Sequence, residues 1–214
     1  MDGKIILASG SPRRKEILQQ VGIAFDVLTS DIEEKTEEVL PEEVVKDLSR
    51  QKAEEVKRLY VKRNGADEKS IYKKEGKQEN IVFLAADTVV ACDGDILGKP
   101  SDEADAFAMI DRLQGNTHEV YTGVTLLAWD TYTDKEEYVV FAEATKVKVR
   151  PMTAEQIQAY IKTKEPMDKA GAYGIQGAFA AYITGIEGDY YNVVGLPAAR
   201  VCEELERLRE RSCL

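Results

Sequence analysis

A mixed, elongated α/β sheet with flanking helices is the fold class this chain predicts, and three observations predict it. Short strand and helix signals are interleaved along the 214 residues, and the longest strand signals fall in the middle. Ile81–Ala91 is an apolar run interrupted only by Asp87 and Thr88, as suits a strand buried on both faces. Interleaving without strict alternation argues against a pure βαβ repeat.

Each element has its own signal. Lys4–Ala8 is an apolar strand ending in Ser9-Gly10-Ser11-Pro12. Ser11 is a favoured N-cap and Pro12 suits the first helical position, which predicts a helix from Pro12 to Val21, stopped by Gly22. A strand follows over Phe25–Leu28. Pro41 to Lys62 is helical, with Val45, Leu48, Val56 and Leu59 on one stripe. Asn64 to Asn80 is rich in Lys, Glu, Gly and Asn and has no period, so it reads as a charged, solvated insertion. Beyond the Ile81–Ala91 strand, Asp93-Gly94 supplies a turn, and Ser101 starts a helix to Leu113 that Gly115 closes. Strands are expected over Glu119–Ala128 and Glu137–Val149. Thr153 and Gln156 form a capping box for a helix to Lys162. Gly171, Gly174 and Gly177 punctuate a loop, Ala178–Ile186 and Tyr190–Val194 are expected as paired strands, and Pro197 opens an amphipathic helix. No internal repeat is visible, and 1–214 reads as a single domain.

Composition excludes several classes of function. The net charge is −10, opposite to the basic face that non-specific nucleic-acid binding requires. Cys92, Cys202 and Cys213 share no CxxC spacing, and His118 is the one histidine, which argues against a disulfide framework and against zinc or His-rich metal sites. The chain starts MDGKIILAS without a secretory pattern, and its apolar runs are short of the roughly 18 residues of a membrane helix. A cytoplasmic protein with no membrane or nucleic-acid partner is expected.

Against this acidic background, a few cations stand in unusual places. Arg13 and Arg14 fall in the first turn of a helix, where the dipole disfavours positive charge. They make sense beside an anion that also meets the helix N–H groups and the hydroxyls of Ser9 and Ser11; otherwise they point into water or pair with acids. Lys52 lies four residues from both Leu48 and Val56, in the middle of a buried stripe. It must face an anion there or extend its ammonium to solvent. Asp87 is a carboxylate inside a buried strand, costly unless paired, metal-bound or satisfied by backbone donors. Lys99, in Gly98-Lys99-Pro100, adds a cation in a constrained loop that is not a Walker A sequence. Glu33-Glu34 offers acids for a divalent ion or is plain surface charge. Gly171–Gly177 lacks the strand and helix of a dinucleotide fingerprint, although Gln176 within it can pair with a base edge. His118 reads as a structural hydrogen-bonder, since no GxSxG elbow accompanies any serine. Together these groups describe a site for a polyphosphate anion, whose hydrolysis needs charge neutralisation and an oriented water.

Leu7-Ala-Ser-Gly-Ser-Pro-Arg-Arg14, Lys52-Ala53, Ala86-Asp-Thr-Val89, Leu97-Gly-Lys-Pro100, Thr122-Gly123, Asp168–Gly177 and Gly188–Pro197 resemble, in order, the motif series of the Maf family of nucleoside triphosphate pyrophosphatases, also described as septum-formation inhibitors. The 64–80 segment is longer than that pattern. The resemblance implies two lobes around a central cleft, similar to the inosine triphosphatase (Ham1-like) fold, and a homodimer. It implies hydrolysis of a nucleoside triphosphate to the monophosphate and pyrophosphate with Mg²⁺ or Mn²⁺. Asp87 would activate water and hold metal, and Glu34 would assist. Ser9, Ser11, Arg14, Lys52 and Lys99 would bind phosphates. Arg13, Thr88 and Gln176 match the family's dTTP/UTP branch rather than its 7-methyl-GTP branch. The remaining alternatives are a pyrophosphatase for modified or methylated nucleotides and a nucleotide-sensing regulator of cell division.

Overall fold

The computed structural model describes residues 3–31, 33, 35–64 and 80–212; Glu34 and most of the expected insertion lie outside them. Its elements run β1 (Gly3–Leu7), α1 (Pro12–Gln20), β2 (Asp26–Val27), α2 (Pro41–Asn64), β3 (Asn80–Cys92), β4 (Asp95–Leu97), α3 (Glu103–Leu113), β5 (Thr117–Asp130), β6 (Lys135–Val149), α4 (Ala154–Ile161), β7 (Ile183–Glu187), α5 (Tyr190–Val194) and α6 (Ala198–Ser212). The expected mixed sheet is present, in the order β2-β1-β3-β5-β6-β7, with β4 also paired to β3. β1 is parallel to β2 and β3, and the other pairings are antiparallel.

β3 is buried on both faces because helices cover both. Its odd-numbered residues Ile81, Phe83 and Ala85 pack with Ala53, Val56 and Val61 of α2 and with Leu127 and Trp129 of β5. Its even-numbered residues Val82 and Leu84 pack with Ile17 and Leu18 of α1 and with Val201, Leu205 and Leu208 of α6. Towards the other end of the strands, Val90, Val120 and Val147 meet α3, α4 and the rings of Tyr160, Tyr173 and Phe179.

Four local readings are corrected. Tyr190–Val194 is a helix rather than a strand, despite its β-branched and aromatic content. Asp189 caps it by accepting from Tyr191 N (2.7 Å), and Asn192 is buried and bonded to β5 and β6, so tertiary contacts override propensity. Ala178–Tyr182 forms a 3-10 turn that drives Phe179 into the aromatic cluster, and only Ile183–Glu187 is strand, pairing with β6. Ser11 does not cap α1 through its side chain; the Ser9 hydroxyl instead accepts from Ser11 N (3.2 Å). In α3 the cap is Asp102, one residue beyond the expected Ser101.

One contact sets the position of α2 on the sheet. A Cβ placed on Gly123 would stand 2.2 Å from the Val45 carbonyl oxygen, so the helix backbone rests directly on the strand, as a strand glycine allows. One turn further along α2, the Ser49 hydroxyl bonds Thr125 Oγ1 (2.9 Å). Replacing Gly123 with Ala is expected to destabilise the chain by about 3 kcal/mol through overpacking against rigid backbone. Urea denaturation checks this, and an unchanged midpoint would show that α2 can lift off the sheet freely.

Candidate active site

The site forms where β3 loses its neighbour on one edge. β1 pairs with β3 as far as Leu7 opposite Leu84, Ala8 N donates to the Leu84 carbonyl, and β4 takes up the same edge only at Val90. Ala85–Val89 is therefore flanked by strand on the β5 side alone. This gap lies beyond the carboxyl end of β1, the usual place for a ligand crevice in an open α/β sheet. Side chains alternate along a strand, so Asp87 turns towards α2 and Thr88 towards α1, and the gap opens to both. A cleft of about 460 Å³ results, within the range of small-molecule sites.

Ser9, Ser11, Arg13, Arg14, Lys52, Asp87, Thr88, Lys99 and Gln176, all singled out by the sequence, line this one cleft. Lys52 comes from the buried stripe of α2, and its Nζ donates to Asp87 Oδ1 (2.5 Å). The two side chains are only 18% and 17% exposed, so each charge depends on the other for compensation. Arg14 is held by protein acceptors: Nε donates to the Gly195 carbonyl (2.8 Å), Nη1 to Ser9 Oγ (3.2 Å) and Nη2 to Thr88 Oγ1 (3.1 Å). The expected convergence of two open guanidinium forks is thus modified, since Arg14 is built into the wall and takes up the Ser9 hydroxyl.

Lys99 is exposed on the loop before α3, and Gly98, its neighbour, accepts from Gly171 N (3.0 Å), which ties that loop to the 171–177 loop. Gly171 has φ +65°, and a Cβ there would strike Val90 at 2.8–2.9 Å. Gln176 is exposed at the mouth, beside a loop that Glu165 anchors by accepting from Ala178 N (3.0 Å) and the Tyr160 hydroxyl (3.0 Å).

Asp168, Lys169 and Tyr173 also line the cleft and were not identified as site residues from the sequence. Their only signal was a place within the Asp168–Gly177 motif. Lys169 Nζ donates to the Glu165 carbonyl (2.6 Å) and to Asp168 Oδ1 (2.6 Å). This hydrogen bond, then the charges of Lys169 and Arg13, hold the Asp168 carboxyl below the usual carboxylate range despite partial desolvation. Tyr173 is fixed from behind by His118, whose Nε2 lies 2.7 Å from the phenol oxygen. His118 is therefore structural, as expected.

The fold and the cleft define an α/β protein with a cationic, carboxylate-bearing pocket sized for a small anionic ligand. Residues 4–208 match the family model described as Maf-like protein, and the chain belongs to that family. It is 48% identical over 204 residues to the dTTP/UTP pyrophosphatase of Lachnoclostridium phytofermentans, covering 95% of this chain and 94% of the relative. It is 49% identical to the protein of the same description from Agathobacter rectalis (96% and 97% covered) and 46% identical to that from Carboxydothermus hydrogenoformans (94% and 97%).

Burial pushes the His118 pKa down from 6.5 to about 4. The unfolded chain then binds more protons than the folded one between these values. The contribution of neutral His118 to stability is thus complete above pH 6.5 and is lost as pH falls towards 4. Between pH 7.5 and 4.5 the wild type is expected to lose about 2.5 kcal/mol more than His118→Gln, from the size of that shift. Parallel losses in urea denaturation would show that His118 does not titrate in this way.

Proposed function

We propose that this chain hydrolyses dTTP and UTP to the nucleoside monophosphate and pyrophosphate, the activity that names its relatives. The observation that carries the proposal is the Lys52–Asp87 pair inside a cleft also lined by Arg13, Arg14, Lys99 and Lys169, in a chain of net charge −10. An acidic protein that gathers cations in one concave site raises the local potential for a polyphosphate there.

In this reading the triphosphate lies across Arg13, Arg14, Lys52 and Lys99, with the Ser9 and Ser11 groups at the start of α1. Asp87 accepts a proton from water as the water oxygen bonds the α-phosphorus. The bond from that phosphorus to the bridging oxygen breaks, and pyrophosphate leaves with its electron pair. Lys52 holds the carboxylate in place and adds positive charge where negative charge develops. The Gln176 amide pairs with the O4 and N3–H edge shared by uracil and thymine, and Arg13 and Thr88 complete the set that selects these bases.

A divalent ion, Mg²⁺ or Mn²⁺, fits this donor set as one shared with the substrate. Among the described residues no group of three or more His, Cys, Asp or Glu could hold a metal, and Mg²⁺ typically takes one or two carboxylates plus phosphate oxygens and water. Asp87, with Glu34, would hold it, and when bound it would neutralise phosphate charge. Residues 1–214 form one Maf-like domain on this reading. The separate apolar clusters on either side of the cleft support two lobes of the inosine triphosphatase (Ham1-like) kind. Among the described residues no helix is long and apolar enough to cross a membrane, which accords with a cytoplasmic enzyme; the family resemblance adds a homodimer.

Asp87→Asn is expected to remove nearly all pyrophosphate release from dTTP and UTP while nucleotide binding, followed by calorimetry, remains measurable. Full turnover in that variant would refute the role of Asp87, and binding without release by the wild type would mark a sensor. Gln176→Glu is expected to weaken dTTP hydrolysis selectively; an equal loss on dTTP, UTP, CTP and 7-methyl-GTP would argue against base reading.

A further inference from the structure

We infer that Thr122 and Asn192, neither of which lines the cleft, are positioning residues that aim Arg14 at the substrate through Thr88. The inference rests on the hydrolase reading above. Thr122 and Asn192 are both fully buried. Thr88 Oγ1 accepts from Arg14 Nη2 (3.1 Å) and lies 2.9 Å from Thr122 Oγ1, and Thr122 donates to the Asn192 carbonyl (2.9 Å). A hydroxyl has one proton to give. Thr122 gives its proton to Asn192, so Thr88 must give its own to Thr122, and the direction of the chain is settled from the α5 carbonyl outward to Arg14.

The far end of this relay is itself pinned. Asn192 Nδ2 donates to the Val120 carbonyl of β5 (3.0 Å) and to Thr145 Oγ1 of β6 (2.9 Å), and Thr145 donates to the Asp189 carbonyl (3.0 Å). Arg14 Nε meets the same helix directly, at the Gly195 carbonyl that ends α5. Two carbonyls of α5, one reached directly and one through two hydroxyls, thus fix the guanidinium plane. The oxygen of Thr88 is committed to Arg14 and Thr122, so its part in substrate choice passes through Arg14.

Thr122→Val keeps the shape and removes both hydrogen bonds. Its kcat on dTTP is expected to fall about ten- to hundredfold, the scale of a misplaced catalytic group, with KM changed less than about twofold and activity rescued in Thr122→Ser. In an Arg14→Lys background Thr122→Val should add almost nothing, because the two changes act on one group. Undiminished effects in the double variant, or wild-type kcat in Thr122→Val, would overturn the inference. Thr88→Val, tested in the same cycle, serves if Thr122→Val does not fold. The Arg14 Nη2–H cross-peak in a low-temperature ¹H–¹⁵N spectrum reads the relay without turnover, because Nη2 is the group that donates to Thr88: it should be sharp in the wild type and Thr122→Ser and broadened or lost in Thr122→Val. If the wild type releases no pyrophosphate from dTTP or UTP, the hydrolase reading falls, and this cross-peak alone decides the relay; its persistence in Thr122→Val overturns it.

Discussion

The position of α2 on the sheet governs the site, and Gly123 governs the position of α2. Gly123 stands opposite Asp87 in the β3–β5 ladder, and the helix backbone at Val45 occupies the space its side chain would need. With the helix so low, Lys52 reaches the strand within the length of its own side chain. A bulkier residue at 123 would raise the helix and separate two largely desolvated charges, each of which is expensive to bury alone. The packing of the core and the electrostatics of the cleft are therefore one constraint.

The second feature is the interrupted edge of β3. Had β1 continued past Leu7, the backbone of Ala85–Val89 would be paired on both sides and Asp87 and Thr88 would face separate, closed surfaces. Because the partner strand stops and turns into α1, both faces open into one cleft, and the start of α1 brings Arg13 and Arg14 there. Concentrated positive charge needs internal compensation when no substrate is bound. Asp87 beside Lys52, and Asp168 beside Lys169 and Arg13, supply it, while neutral acceptors hold Arg14.

Much of the fold was legible because the signals are local. The Ile81–Ala91 strand and the Thr153–Gln156 capping box depend on residues near in sequence, and the structure has both. The expected stripe of α2 holds at Val45 and Val56, while Leu48 and Leu59 are only half-buried and Ser49 and Ala53 lie on the buried face instead. The misread parts of 178–194, Ala178–Tyr182 and Tyr190–Val194, fail for the opposite reason: Phe179 packs on Tyr160 of α4 and Asn192 bonds β5 and β6, so both take their conformations from other elements. The site was legible as a set of misfits: arginines at a helix start, a lysine in an apolar stripe, an aspartate in a buried strand. Lys169 gave no such misfit, because a lysine in a glycine-rich loop violates no local rule, and so it went unread.

By itself the sequence determined which residues carry charge into places where charge is disfavoured, and Arg13, Arg14, Lys52, Asp87 and Lys99 among them line one cleft. Only the tertiary structure decided how they share the work, with Lys52 against Asp87, Arg14 anchored to α5 rather than open, and Lys169 joined to the wall. Burial cost is a property of a residue and its near neighbours, whereas the partner that offsets it is chosen by contacts between elements far apart along the chain.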